Sequence, residues 1–148
     1  MTTVRSDAAA AATESPARCV IVLDETLPPG LAANAAAVLA LTLGAKHPGL
    51  PGAELLDADG HRHPGLIPMG LPVLRAPGSA FATLLARGLE SDVGVIAFPT
   101  FGQQTNDYED VRAQVAKTAT DELRYLGLAL YGAERPIRRL TGNLGLLR

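Results

Sequence analysis

The first long pattern is an unbroken apolar run, Cys19-Val20-Ile21-Val22-Leu23, ending at Asp24-Glu25. A run without polar alternation suits a strand covered on both faces, so it predicts a central strand. Pro28-Pro29-Gly30 then turns the chain. Residues 31–43 are nearly all Ala, Leu and Val. That composition favours helix, Gly44 supplies a stop, and the lack of a polar face predicts a mostly buried helix. Asn34 is its one polar exception near the start. His47-Pro48-Gly49 and Pro51-Gly52 read as loop, with His47 a loop residue. Asp59-Gly60, between residues 54–58 and 61–63, predicts a type I′ hairpin. Ile67, Met69, Leu71 and Val73 alternate as in a strand, and Pro68 and Pro72 push it to an edge or an irregular path.

The second half repeats the alternation of helix and strand. Ser79 is placed to cap a helix with the apolar face Phe81, Leu84, Leu85 and Leu89. Residues 93–98 form a third buried strand. Asn106 and Glu109 resemble a capping box, opening a helix that buries Tyr108, Val111 and Val115. Residues 123–131 predict a last strand, with Leu126, Leu128 and Leu130 on one face and Tyr125, Gly127, Ala129 and Tyr131 on the other. A final helix starts near Arg135-Pro136. Gly142 ends it through a positive φ, and Leu144, Leu146 and Leu147 pin the tail to a core. The class is α/β: a single domain with a roughly four-stranded mixed sheet flanked by helices.

Composition narrows the function. The chain has 148 residues, enough for one domain with its own core. Aromatics are only 4%, so aliphatic side chains must build that core. The net charge is −2, which argues against a protein that mainly grips nucleic acid. Arg135, Arg138, Arg139 and Arg148 could hold one phosphate or carboxylate, or form a solvated helix face. Cys19 is the only cysteine, so no disulfide forms within the chain, and its apolar setting makes it a small buried hydrophobe. No stretch is apolar and long enough to span a membrane. Residues 1–17 are Ala-, Thr- and Ser-rich without a signal-peptide pattern. They read as a disordered tail before a domain at 18–148, and the protein as cytoplasmic.

Three polar loops sit beside strand ends. The first spans residues 24–34, where a strand runs into a helix and leaves backbone N–H groups at the carboxyl edge of the sheet. Gly30 allows close approach there, Asn34 offers an amide, and Asp24 is a candidate base. The second is Phe98-Pro99-Thr100-Phe101-Gly102-Gln103-Gln104-Thr105-Asn106, uncharged and rich in amides. The third is the Thr141-Gly142-Asn143 corner, where a hydroxyl and an amide could meet a ligand. His61 and His63 share one strand face, but no third metal ligand is evident, so a solvated hairpin is expected. No nucleophile elbow, phosphate-binding loop or dinucleotide fingerprint is present, and neither a metal nor another cofactor is called for. Chemistry here would rest on positioning by amides and backbone N–H groups.

Several of these segments resemble an uncharacterised bacterial family, domain of unknown function 2000. They are Val20-Ile21-Val22-Leu23-Asp24, Leu27-Pro28-Pro29-Gly30-Leu31-Ala32-Ala33-Asn34 and Asp57-Ala58-Asp59-Gly60. Leu123-Arg124-Tyr125-Leu126-Gly127-Leu128-Ala129-Leu130-Tyr131-Gly132 and Arg139-Leu140-Thr141-Gly142-Asn143-Leu144 extend the match, from about residue 18 to the end. That family in turn is similar to peptidyl-tRNA hydrolase type II. Ala32-Ala33-Asn34 stands at its Ala-Ala-Gln, Phe101-Gly102-Gln103-Gln104-Thr105 near its Asp-Ala-Gly-x-Thr loop, and Leu140-Thr141-Gly142-Asn143-Leu144 at its closing motif. The resemblance implies a peptidyl-tRNA hydrolase type II-like fold with the three loops around one cleft, and it fits a homodimer.

This chain departs from the hydrolases in two places. Their Gly-Lys before the Ala-Ala-Gln is replaced by Pro28-Pro29-Gly30-Leu31, and their His three residues after the Gln is Ala37. A cation and a titratable ring are gone, so tRNA is not the expected partner. The expected function is hydrolase-like action on a small acyl or carbonyl compound, without a covalent nucleophile. Asn34, Asp24 and Thr141 would be catalytic, and Gly30, Gln104, Thr105, Gly142 and Asn143 would bind the ligand. The alternative is a non-catalytic small-ligand-binding or regulatory protein on the same fold. Residual action on peptidyl- or aminoacyl-tRNA ranks third.

Overall fold

A computed structural model describes residues 15–148. The proposed tail at 1–17 lies outside the described residues up to position 14. Strand β1 (Arg18–Asp24) is followed by helix α1 (Pro29–Lys46) and a small hairpin of β2 (Leu55–Leu56) and β3 (Arg62–His63). Then come β4 (Val73–Ala76), α2 (Phe81–Glu90), β5 (Val93–Pro99), α3 (Tyr108–Ala116), β6 (Tyr125–Gly132) and α4 (Glu134–Thr141). The main sheet is four-stranded and mixed, in the order β4-β1-β6-β5. β1 runs parallel to β4 and antiparallel to β6, and β5 pairs antiparallel with β6. The chain is thus a single α/β domain with helices on both faces of its sheet.

β1 is buried as its unbroken apolar run requires, because both of its faces are covered. Val20 and Val22 pack with Phe81 and Leu84 of α2 and Ile137 and Leu140 of α4. Ile21 and Leu23 pack on the other face with Ala32, Ala35 and Leu39 of α1. Burial pushes the Cys19 thiol pKa up, keeping it an unreactive core group. Only one stripe of helix α1 is covered, formed by Ala32, Ala35, Leu39 and Leu43. Its outer side is exposed and apolar, with Leu41 at 77%. The expectation of a mostly buried helix therefore fails: Ala-Leu composition selects helix but does not say how many sides the fold covers.

Gly44 does not stop α1, which runs on to Lys46, where the N–H of His47 donates to the Gly44 carbonyl. A Cβ at Gly44 would meet nothing within 4 Å. Gly44→Ala is therefore expected to stabilise the protein by about 0.5–1 kcal/mol through helix propensity. Urea unfolding measures this, and a lowered midpoint would contradict it.

Several local expectations need correction. In the hairpin, Gly60 has φ 85° and Asp59 has no positive φ, whereas a type I′ turn needs two such residues. The Asp57 carboxylate organises the loop by accepting from the N–H groups of Asp59 and His61 and from His63 Nε2. Those bonds hold its pKa below the usual aspartate value. Both histidines approach this one exposed carboxylate, and no metal-binding group of three or more ligands occurs among the described residues. Of the alternating 67–73 region only Val73 joins the sheet, as the first residue of β4, because prolines at 68 and 72 have no N–H for a ladder.

Ser79 makes no cap bond, since a 3-10 turn at Gly78–Ala80 leads directly into α2. Leu89 is exposed, and Gly88 faces the sheet instead. The cap of α3 is Asp107, whose carboxylate accepts from the Glu109 N–H, in place of Asn106. Tyr108 is exposed there. Phe98 pairs with Gly127 and Pro99 with Tyr125, so Leu126 is an extra residue in β6. This bulge moves Leu126 to the α1 side and Tyr125 to the α2–α4 side, breaking the expected alternation. Gly142 has φ −63°, so it follows α4 without a left-handed residue. A Cβ there would lie 2.9 Å from the Arg138 carbonyl, and that crowding is what favours glycine.

Candidate functional site

β1, β4 and β5 end at one edge of the sheet, and the loops beyond Asp24, Ala76 and Pro99 gather there. The carboxyl edge of a sheet with parallel strands is a common place for ligands. Asp24 Oδ1 accepts from the Thr26 N–H at 2.9 Å and the Thr26 hydroxyl at 2.8 Å. This turn steers the chain toward Pro28. Asp24 Oδ2 faces Gly78, where a Cβ would come within 3.2 Å. One carboxylate oxygen therefore shapes the loop, and the described side-chain bonds leave the other unused.

The start of α1 has an unusual donor set. An α-helix normally leaves four N–H groups without an internal partner at its N-terminus. Here Pro28 is the N-cap and Pro29 the first helical residue, so two of the four have no hydrogen. The first helical bond runs from the Ala32 N–H to the Pro28 carbonyl at 2.9 Å. Gly30 and Leu31 keep the two remaining N–H groups. Among the described residues no side chain caps them, and the first turn has no acidic residue. A Cβ at Gly30 would meet nothing within 4 Å, so the approach is open. The positive end of an 18-residue helix thus faces outward with two adjacent donors.

Asn34 lies one turn beyond Gly30 on the same exposed side of α1. The 3-10 turn Thr100–Gln103 is tied to this region because Gln103 Nε2 donates to the Leu31 carbonyl at 3.0 Å. Gln104, the next residue, is exposed. Thr105 Oγ1 accepts from the Asp107 N–H and donates to Asp110, so it holds the loop in shape. Gln103 thus fixes the 3-10 turn against the first turn of α1, while the described bonds of Thr105 stay within its own loop.

Thr141, Gly142 and Asn143 belong to the other side of the sheet. Thr141 is 5% exposed, and its hydroxyl donates to the Ile137 carbonyl at 2.8 Å. Leu144 packs on the α2–α4 side and Leu147 on the α1 side. Between them the tail bonds along β4, through Arg75 N–H to Gly145 and Leu147 N–H to Val73. The strand alternation that sends Val20 and Val22 toward α2 and α4 also directs Asp24 that way. Gly30 and Asn34 of α1 thus lie on one side of the sheet, and Asp24 and the C-terminal corner on the other. Tyr125, brought to the latter side by the bulge, was not a candidate from the sequence. Burial pushes its phenol pKa up.

Two pockets lie at the opposite end of the sheet and contain none of these residues. One, of about 550 Å³, includes His47, Tyr131 and Asp92. The other, of about 430 Å³, lies between Arg87, Glu90 and Arg139. The carboxyl edge remains the stronger candidate for carbonyl chemistry, because the unpaired N–H donors and the open Asp24 oxygen are there. His47 lies just beyond α1 in the loop, as expected, and it is buried, with a relative exposure of 5%. Its neighbour Pro48 signals a loop, and nothing local announces that the ring turns inward.

A family described as "Protein of unknown function (DUF2000)" matches residues 17–148. Curated proteins give no match. A solved structure of a protein of unknown function from Agrobacterium tumefaciens is similar in fold, with a TM-score of 0.79 and 19% identity. The alignment covers 87% of this chain and 96% of that one.

Proposed function

This chain belongs to the DUF2000 family, and from that premise we propose that it binds a small acyl or carbonyl compound at the carboxyl edge and polarises it in a hydrolase-like reaction. The observation that carries this reading is the pair of adjacent N–H donors at Gly30 and Leu31, uncapped and open to solvent. Two such donors suit a carbonyl oxygen that gains negative charge in a transition state. Asn34 and Gln104 would orient the rest of the ligand by hydrogen bonds. Asp24 Oδ2 would activate water from the other side of the edge, so that oxygen and nucleophile occupy opposite sides of the carbonyl. Asn143 would meet the ligand's far end. The proposed likeness to peptidyl-tRNA hydrolase type II lies in this loop arrangement. The absent lysine and the net charge of −2 favour a small substrate over tRNA.

Hydrolysis of nitrophenyl acetate and nitrophenyl butyrate tests the proposal. The wild type should exceed buffer. Asn34→Ala should lower kcat/KM about three- to tenfold, the worth of one hydrogen bond, without moving the thermal midpoint. A wild-type rate equal to buffer would sink the hydrolase reading. The second reading, binding without turnover, is favoured by the hydroxyls of Thr105 and Thr141, both already donated within the fold. Saturable calorimetric binding of butyramide, weakened in Asn34→Ala and accompanied by no ester turnover, would establish it.

A further inference from the structure

At the end of the sheet remote from the carboxyl edge, α1 finishes on His47 and a pocket of about 550 Å³ opens between β5, β6 and the chain leading into β1. That volume suits a small molecule. His47 Nδ1 lies 3.0 Å from the Leu43 carbonyl. A carbonyl only accepts, so this contact assigns the hydrogen to Nδ1 and leaves a lone pair on Nε2 of the neutral ring. None of the described hydrogen bonds uses Nε2. It is also absent from the sealed, unpartnered side-chain atoms, which among the described residues are represented by Arg18 Nε alone. His47 lines the pocket, so its buried ring presents an open acceptor there.

Tyr131 forms the adjoining wall. Its ring meets that of His47 edge to face, with centroids 4.8 Å apart and planes at 69°. Gly94 makes this possible. It pairs across the strands with Tyr131, and a Cβ at position 94 would overlap the tyrosine ring. Asp92 adds an exposed carboxylate that enters none of the ion pairs among the described residues. The Ser91 hydroxyl already donates to the Arg87 carbonyl at 2.7 Å, leaving its lone pairs. Val93 supplies an apolar wall, and among the described residues no lysine or arginine lines the pocket. An imidazole lone pair, an aromatic ring and a carboxylate thus border one space, and Asp92 also borders the neighbouring pocket that holds Arg87 and Arg139.

We propose that this pocket binds a small organic ammonium ion. An ammonium N–H donates to His47 Nε2, the charge is balanced by Asp92 and the Tyr131 ring, and the hydrocarbon part rests against Val93. The site is separate from the carboxyl edge and stands whether or not that edge hydrolyses esters.

Titration of the full chain with benzylammonium chloride, followed by the imidazole proton resonances in NMR, tests the inference. Benzoate serves as the control of opposite charge. The expected result is a saturable shift of His47, with His61 and His63 unmoved. Asp92→Asn should weaken binding about tenfold and leave the thermal midpoint unchanged. Tyr131→Leu should weaken it as well. If Tyr131→Leu unfolds, the Asp92→Asn result decides. No saturable shift through the millimolar range, equal binding of benzoate, or unaltered affinity in Asp92→Asn would each overturn the proposal.

Discussion

Replacing Phe81 by alanine should lower the unfolding free energy by about 3–5 kcal/mol. Phe81 is 1% exposed and opens α2, where it packs with Val20, Val22, Leu84, Leu128 and Ile137. It therefore joins the sheet to both helices of one face. The chain has three phenylalanines and no tryptophan, so its core has few large rings to spare. Truncation leaves a cavity that aliphatic neighbours on three elements cannot all move to fill. Against a total stability of about 5–15 kcal/mol, that loss is a large share. Urea unfolding should show a much lower midpoint with an unchanged slope. The exposed Leu89 of the same helix is the control: Leu89→Ala should change stability by less than about 0.5 kcal/mol. A shift for Phe81→Ala as small as that of Leu89→Ala would show that this cluster does not hold the layers together.

The same two residues show what the amino-acid pattern can and cannot convey. Phe81, Leu84 and Leu89 share a helical period, and the period correctly marks a helix. It does not fix the rotation of the helix on the sheet: the buried stripe runs through Phe81, Leu84 and Gly88, and Leu89 falls beside it. The outer side of α1 repeats the lesson, since Leu41 has the same chemistry as buried Leu39. β1 was legible because both of its faces are covered, so every position had to be apolar. Leu126 was not, because its bulge depends on how β5 and β6 register near Pro99. Asp59-Gly60 marked the hairpin, but the Asp57 carboxylate, bonded to three groups around the loop, decides its turn.

The site was legible in proportion to how local its geometry is. The two prolines before Gly30 stand next to the donors they leave exposed, so position and chemistry are read together. Gln103 was seen as part of an amide-rich loop, but its bond to Leu31 spans 72 positions and only the fold reveals it. Thr141 looked available at a corner, yet its hydroxyl turns back into its own helix, a habit of threonine near helix ends. His47 reads in the sequence only as a loop residue, because its packing on Tyr131, far along the chain, shows only in the fold.

Asp24→Asn should reduce ester turnover about 10²–10⁴-fold if Asp24 is the base that activates water. The substitution is nearly isosteric. Its amide oxygen can still accept from the Thr26 N–H and hydroxyl, so the turn into Pro28 keeps its shape. What disappears is the proton-accepting Oδ2 beside Gly78. The loss should therefore fall on kcat, with KM little changed, because ground-state contacts at Gly30, Leu31 and Asn34 lie on the other side of the edge. Asn34→Ala should act on the ligand's contacts, and the double variant should show whether the two sides work on one bound molecule. Should Asp24→Asn keep kcat within about threefold of the wild type, no carboxylate base operates at this edge. Any remaining turnover would then come from the N–H donors polarising the carbonyl toward free water or hydroxide.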